Sequence, residues 1–96
     1  MTLEINQEQM SQMLSRGADL IDVRETQETN QGIIKPSKNW PLSKLDAWLN
    51  KISQKKPTIF YCQSGVRSYQ VAEIATQWTN QELYSLKGGF SSYQKK

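Results

Sequence analysis

A short β-branched and aromatic run, Thr58-Ile59-Phe60-Tyr61, passes through Cys62 and a polar turn, Gln63-Ser64-Gly65, into a helix-period segment starting near Val66 or Arg67. This junction constrains the fold more than any other stretch. The run has the length and composition of a buried parallel strand. Downstream, Val71, Ile74, Ala75 and Trp78 fall at i, i+3, i+4 and i+7, which predicts one apolar helix face. Parallel strands need crossovers, and a strand feeding a helix directly supplies one. Cys62 is therefore expected at the carboxyl end of a strand, where open α/β sheets bind ligands.

A free thiol with a pKa of about 8.5 is only about 3% ionised at neutral pH. The backbone N–H groups from Gln63 to Arg67 can curl around the sulfur as an anion nest, with Gly65 taking any left-handed geometry the turn requires. Each hydrogen bond to a charged group contributes about 1.5 to 3 kcal/mol, so two or three suffice to ionise the thiol. The helix dipole adds to this, as does Arg67 if it folds back. The chain has no histidine, which excludes a Cys-His pair. A lone cysteine ending a core strand is commonly a small buried hydrophobe. The polar loop, with an arginine and a helix start around the sulfur, argues instead for a reacting atom.

In chain order, Leu3 and Ile5 read as a short edge strand, and Asn6 with Gln9 as a capping box opening a helix with Met10, Met13 and Leu14 on its core side. Arg16-Gly17 closes that helix. Ala18 to Val23 is a buried strand that delivers Asp22 and Arg24 to the same sheet edge as Cys62. That pair is read as a loop anchor supporting the site. Glu25 to Gln31 lacks an apolar face and is read as solvated helix or loop. Gly32 to Pro41 is an irregular crossing with a strand near Lys38 to Trp40, and Trp40 is the tryptophan expected to line a pocket. Trp48 and Trp78 are expected in the core or at its edge. Ser43 is expected to cap a helix whose Leu45, Trp48, Leu49 and Ile52 share a face. A helix running to about Asn80, a strand from Glu82 to Leu86, a Lys87-Gly88-Gly89 turn and a short helix from Phe90 to Tyr93 complete the chain. The alternation predicts one small α/β domain over residues 1–96, a mainly parallel sheet with helices on both faces.

Partner classes are bounded by composition. Twelve basic and 9 acidic residues give a net charge of +3, too scattered for a nucleic-acid surface. Lys35, Lys38 and Lys87 are read as solvated surface. No apolar run approaches membrane-spanning length and the opening residues lack a secretory pattern, so a cytoplasmic location without membrane contact is expected. A single cysteine fits that reducing setting. Neither a metal nor a cofactor is expected.

The motif Cys62-x-x-Gly65-x-Arg67-Ser68 resembles the active loop of the rhodaneses, single-cysteine sulfurtransferases that carry sulfane sulfur as a persulfide. Leu20-Ile21-Asp22-Val23-Arg24-Glu25 resembles the first signature of that family and Leu86-Lys87-Gly88-Gly89-Phe90 its last. Where the family usually has Gly-His-Ile and Pro-Gly-Ala, this chain has Gly32-Ile33-Ile34 and Pro36-Ser37-Lys38. Tyr93 stands where relatives often have tryptophan. The resemblance implies that Cys62 takes sulfur from thiosulfate or a persulfide, that Gln63, Ser64, Gly65, Val66, Arg67 and Ser68 hold it, and that cyanide or an external thiol, such as a protein thiol, accepts it. Four residues separate Cys62 from Arg67, whereas cysteine phosphatases and arsenate reductases of this fold have five. One residue fewer narrows the loop by about 1 Å, which suits one extra sulfur atom better than a tetrahedral oxyanion. The alternatives are a binding module with an idle cysteine and, third, arsenate or phosphate ester chemistry.

Overall fold

The computed structural model describes residues 2–94. Five strands, β1 (Thr2–Ile5), β2 (Asp19–Asp22), β3 (Lys38–Asn39), β4 (Thr58–Tyr61) and β5 (Leu83–Leu86), form one sheet in the order β1-β5-β4-β2-β3. Every adjacent pair is parallel, as the alternation of strands and helices requires. The central β4 is buried along its whole length, the mark of a parallel strand covered on both faces.

Its alternating side chains feed two cores. Phe60 and Cys62 join Ile21, Val23, Trp48 and Val71 beneath α2 (Leu45–Trp48) and α3 (Val66–Ala75). Ile59 and Tyr61 join Leu20, Ile34 and Met10 on the other face, under α1 (Gln7–Ser15) and α4 (Gly89–Ser92). The sheet is thus covered on both faces, and Cys62 stands on the α3 side. The capping box at Asn6 and Gln9 forms with both bonds at 2.8 Å, and Gly17 takes the left-handed conformation (φ +98°) just past the Arg16 cap.

Four local expectations are corrected. In β1, Thr2 and Ile5 are the buried residues and Leu3 is exposed, because a strand paired only to β5 leaves its outer positions open. Helix α3 ends at Ala75 and buries Ser68, Val71, Ala72 and Ala75. The apolar stripe is real but rotated, since the small Ala72 and Ala75 allow close approach to the sheet while Ile74 and Trp78 point outward. Ser43 does not cap α2; its N–H and hydroxyl bind the Glu25 carboxylate, and the helix is a 3-10 turn (Leu42–Lys44) running into a single α-helical turn. Trp40 packs on Trp48 with ring centroids 5.4 Å apart, so it seals the core edge. Lys35, Lys38 and Lys87 are exposed, as read.

Candidate active site

The chain leaves β4 at Tyr61 and enters α3 at Val66, and the intervening loop folds back over Cys62. Gly65 makes that reversal possible: its φ of +99° is left-handed, and a Cβ there would meet the Gly88 nitrogen at 3.1 Å and the Leu86 carbonyl oxygen at 3.2 Å. With the turn closed, the Gly65 N–H donates to Cys62 Sγ over 3.1 Å and the Ser68 N–H over 3.3 Å, while Ser68 Oγ lies 3.6 Å from the sulfur. A nest is present, but of its two bonded amides only Gly65 falls within the expected Gln63–Arg67 run, and Ser68 lies just beyond it. Burial alone would raise the thiol's pKa; the Ser68 hydroxyl and the N–H groups of Ser68, Gly65 and Ser64 outweigh it and hold Cys62 below the ordinary thiol range. Cys62 has no solvent exposure.

The far end of the chain clamps this loop. Phe90 N–H donates to the Cys62 carbonyl at 2.8 Å and Ser91 N–H to that of Gln63 at 3.0 Å. Gly89 (φ +57°) passes so close to the Cys62 carbonyl oxygen that any Cβ would overlap it. Gln63 turns its side chain outward to Ser91 Oγ (2.9 Å). Ser64 and Val66 are exposed, and Ser64 forms part of the wall of a cavity of about 580 Å³ with Lys87, Gly88, Gly89 and Tyr93.

Asp22 and Arg24 meet as an anchor. The guanidinium, fully buried, donates to both Asp22 carboxylate oxygens at 2.8 to 3.2 Å. It also donates to the Gly32 carbonyl (2.8 Å) and lies 4.4 Å from the Phe90 ring centroid. Its remaining N–H reaches the Glu28 carbonyl and Gln63 Oε1, each at 3.4 Å. One cation thereby ties the end of β2, the Thr26–Gln31 turn, the Cys62 loop and α4 together. Among the described residues no cluster of side chains suits a metal ion.

The Arg67 guanidinium grips Glu28 through two 2.8 Å hydrogen bonds. Its pKa is raised chiefly by that carboxylate, with the Cys62 sulfur adding to the effect. Glu28 lies in the stretch read from sequence as merely solvated, and nothing in its local pattern marks it, because the contact spans 39 residues. The Arg67 bonds draw the Glu28 carboxyl down to about 2. Since this folded value lies below the ordinary carboxylate value of about 4.3, the pair's contribution is complete above that pH and is lost only as pH falls toward about 2. Both groups are about one-third exposed, which limits the contribution to roughly 1 kcal/mol. Carboxyl-carbon NMR is expected to show Glu28 titrating near 2 in the wild type and returning toward the ordinary range in R67A. Titration of wild-type Glu28 alongside the surface carboxylates would show that the pair does not form in solution.

A single cysteine set in backbone amides between a parallel strand and a helix defines a cysteine-loop α/β domain. The chain belongs to the rhodanese-like domain family, whose model matches residues 6–96. It is 44% identical over 78 residues to the uncharacterized protein YqhL of Bacillus subtilis, covering 81% of this chain and 62% of that protein. A sulfurtransferase of Allochromatium vinosum is 30% identical over 97 residues, covering 99% of this chain and 91% of the relative. Among solved structures, the reduced CoADR-RHD protein of Bacillus anthracis superposes with a TM-score of 0.84 at 31% identity. That match covers 93% of this chain but only 16% of the larger one. No helix among the described residues is long and apolar enough to cross a membrane.

Proposed function

We propose that residues 1–96 act as a sulfurtransferase unit in which Cys62 carries sulfane sulfur as a persulfide. The observation that carries this reading is the direct closure of the loop on Sγ by Gly65 and Ser68. In the first step the Cys62 thiolate attacks the outer sulfur of thiosulfate, forming the Cys62 S–S bond as the sulfur–sulfur bond of the donor breaks and sulfite leaves with the electron pair. In the second, cyanide or an external thiolate attacks the outer sulfur and the Cys62 thiolate is regenerated. No oxidant or reductant beyond the two substrates is required. The other described residues contain no second thiol, so the acceptor comes from outside.

Gly65 and Ser68 hold the anionic sulfur, Gln63, Ser64 and Val66 frame the approach, and Arg67, fixed by Glu28, orients the helix start and the incoming donor. Because Cys62 is fully buried, a donor reaches it only when the loop or a covering side chain shifts. Amides spaced to bind the sulfur itself leave little room for a tetrahedral oxyanion, which disfavours phosphate or arsenate chemistry. A docking module with an idle cysteine would have no need of a thiol held below its ordinary range.

Intact-mass spectrometry after incubation with thiosulfate is expected to show one added sulfur atom on Cys62, removed by cyanide. An unmodified mass under donor excess would reject the enzymatic reading.

A further inference from the structure

Ser85, in the middle of β5, is fully buried, and its hydroxyl lies 2.7 Å from Ser68 Oγ and 3.4 Å from the Gly65 carbonyl oxygen. Ser68 Oγ lies 3.2 Å from the same carbonyl and 3.6 Å from Cys62 Sγ. Either serine can donate to the other. Each hydroxyl has one proton, so the direction chosen by one dictates that of its neighbour.

When Cys62 is a thiol, S–H points to Ser68 Oγ, Ser68 donates to Ser85, and Ser85 donates to the Gly65 carbonyl. Once the sulfur is a thiolate, Ser68 must donate to it, and Ser85 is then free to donate into Ser68 Oγ. The hydroxyl chain runs one way with the sulfur protonated and the other way with it ionised. Without Ser85 each state has one hydrogen bond fewer, because in the thiol state Ser68 turns to the Gly65 carbonyl. The thiolate state nevertheless loses more, since the donor it loses is the one that polarises the Ser68 hydroxyl bound to a charged sulfur.

We propose that Ser85 is a positioning residue for the Cys62 sulfur, turning the Ser68 hydroxyl toward it by donating to the Ser68 oxygen. This deepens the sulfurtransferase reading and rests on it for its importance in catalysis. The charged groups of the elements around the Cys62 loop are Arg67 on α3, Glu28 on the 26–31 turn, the Arg24–Asp22 pair at the end of β2, Glu4 on β1 and Lys87 just after β5. Strands β4 and β5 and helix α4 bring no charged side chain. None of these charges hydrogen-bonds to Ser85, so its removal changes the hydroxyl chain alone.

The test follows thiolate ultraviolet absorbance against pH in wild type, S85A, S68A and S68A/S85A, with C62S subtracted as the blank. Losing the donor that polarises the Ser68–sulfur bond is expected to reduce the thiolate-to-thiol ratio of S85A by about 1.3- to 5-fold, raising the midpoint by about 0.1 to 0.7 pH unit. S68A is expected to shift it at least as far, and adding S85A to S68A to shift it no further, since Ser85 acts only through Ser68. An S85A midpoint equal to wild type, or an equal S85A shift in both backgrounds, would overturn the proposal. The readout needs no sulfur donor. A chain that titrates as expected yet takes no sulfur from thiosulfate would refute the proposed activity while leaving the role of Ser85 standing.

Discussion

C62S is expected to reduce thiosulfate-to-cyanide turnover to background, a loss of at least about 10⁴-fold, while the protein still folds cooperatively. Loss of a covalent nucleophile has effects of this size because the remaining groups only bind and orient. No other cysteine exists in the chain to substitute. Serine is the informative replacement because its oxygen can still accept the Gly65 and Ser68 N–H groups that would otherwise be left buried without a partner. Each such orphan would cost about 1 to 3 kcal/mol, and an alanine variant would therefore confuse lost chemistry with a collapsed loop. The stability comparison carries a sign of its own. Hydrogen bonds hold the folded thiol's pKa below that of the unfolded chain, so the thiolate stabilises the fold fully above the ordinary thiol value of about 8.5, and that contribution is lost as pH falls through the lowered folded value. The advantage of wild type over C62S should widen with rising pH in that window. Turnover by C62S above about one-hundredth of wild type would remove Cys62 from the mechanism.

Replacing Arg24 has the largest expected effect on stability. R24A leaves the Asp22 carboxylate at the end of β2 with its charge buried and uncompensated. Breaking a buried pair from one side costs about 3 to 5 kcal/mol, a large share of the roughly 5 to 15 kcal/mol that stabilises a domain of this size. At the usual urea dependence of about 1 to 3 kcal/mol per M, the midpoint should fall by at least about 1 M. The double variant D22N/R24M should lose less than the two single changes added together, because it leaves no ion unpaired. R24A should also loosen the Cys62 loop, since the guanidinium touches Gln63 and stacks on Phe90, whose N–H clamps the Cys62 carbonyl. An R24A urea midpoint indistinguishable from wild type would show that the anchor carries no net stability.

Local chemistry alone was enough to read the junction at Cys62. The β-branched run before it, the glycine in the turn and the apolar period after it each report a backbone preference that neighbouring residues decide among themselves. The Asn6 capping box, Gly17 at the helix end and the parallel character of the sheet follow for the same reason, and Asp22 and Arg24 could be assigned as an anchor because a two-residue spacing brings them together at a strand end. Helix phase was less legible. Ile74 and Trp78 satisfy the apolar period as well as Ala72 does, and only the closeness of the sheet beneath α3 selects small side chains over large ones.

The remaining parts of the site are contacts between distant segments. Glu28 reaches Arg67 across 39 residues, Ser85 meets Ser68 across 17, and Phe90 binds the Cys62 carbonyl from α4. The register that sets Ser85 beside Phe60 fixes which β5 side chain faces the sulfur, and a slip of one residue would present Tyr84 or Leu86 instead. Nothing near Glu28 or Ser85 in the chain records that pairing. Neighbouring residues were enough to locate the Cys62 sulfur and the kind of turn that holds it, because both depend on local backbone preference. Tertiary structure alone decided which distant side chains surround it, because that depends on how the strands align.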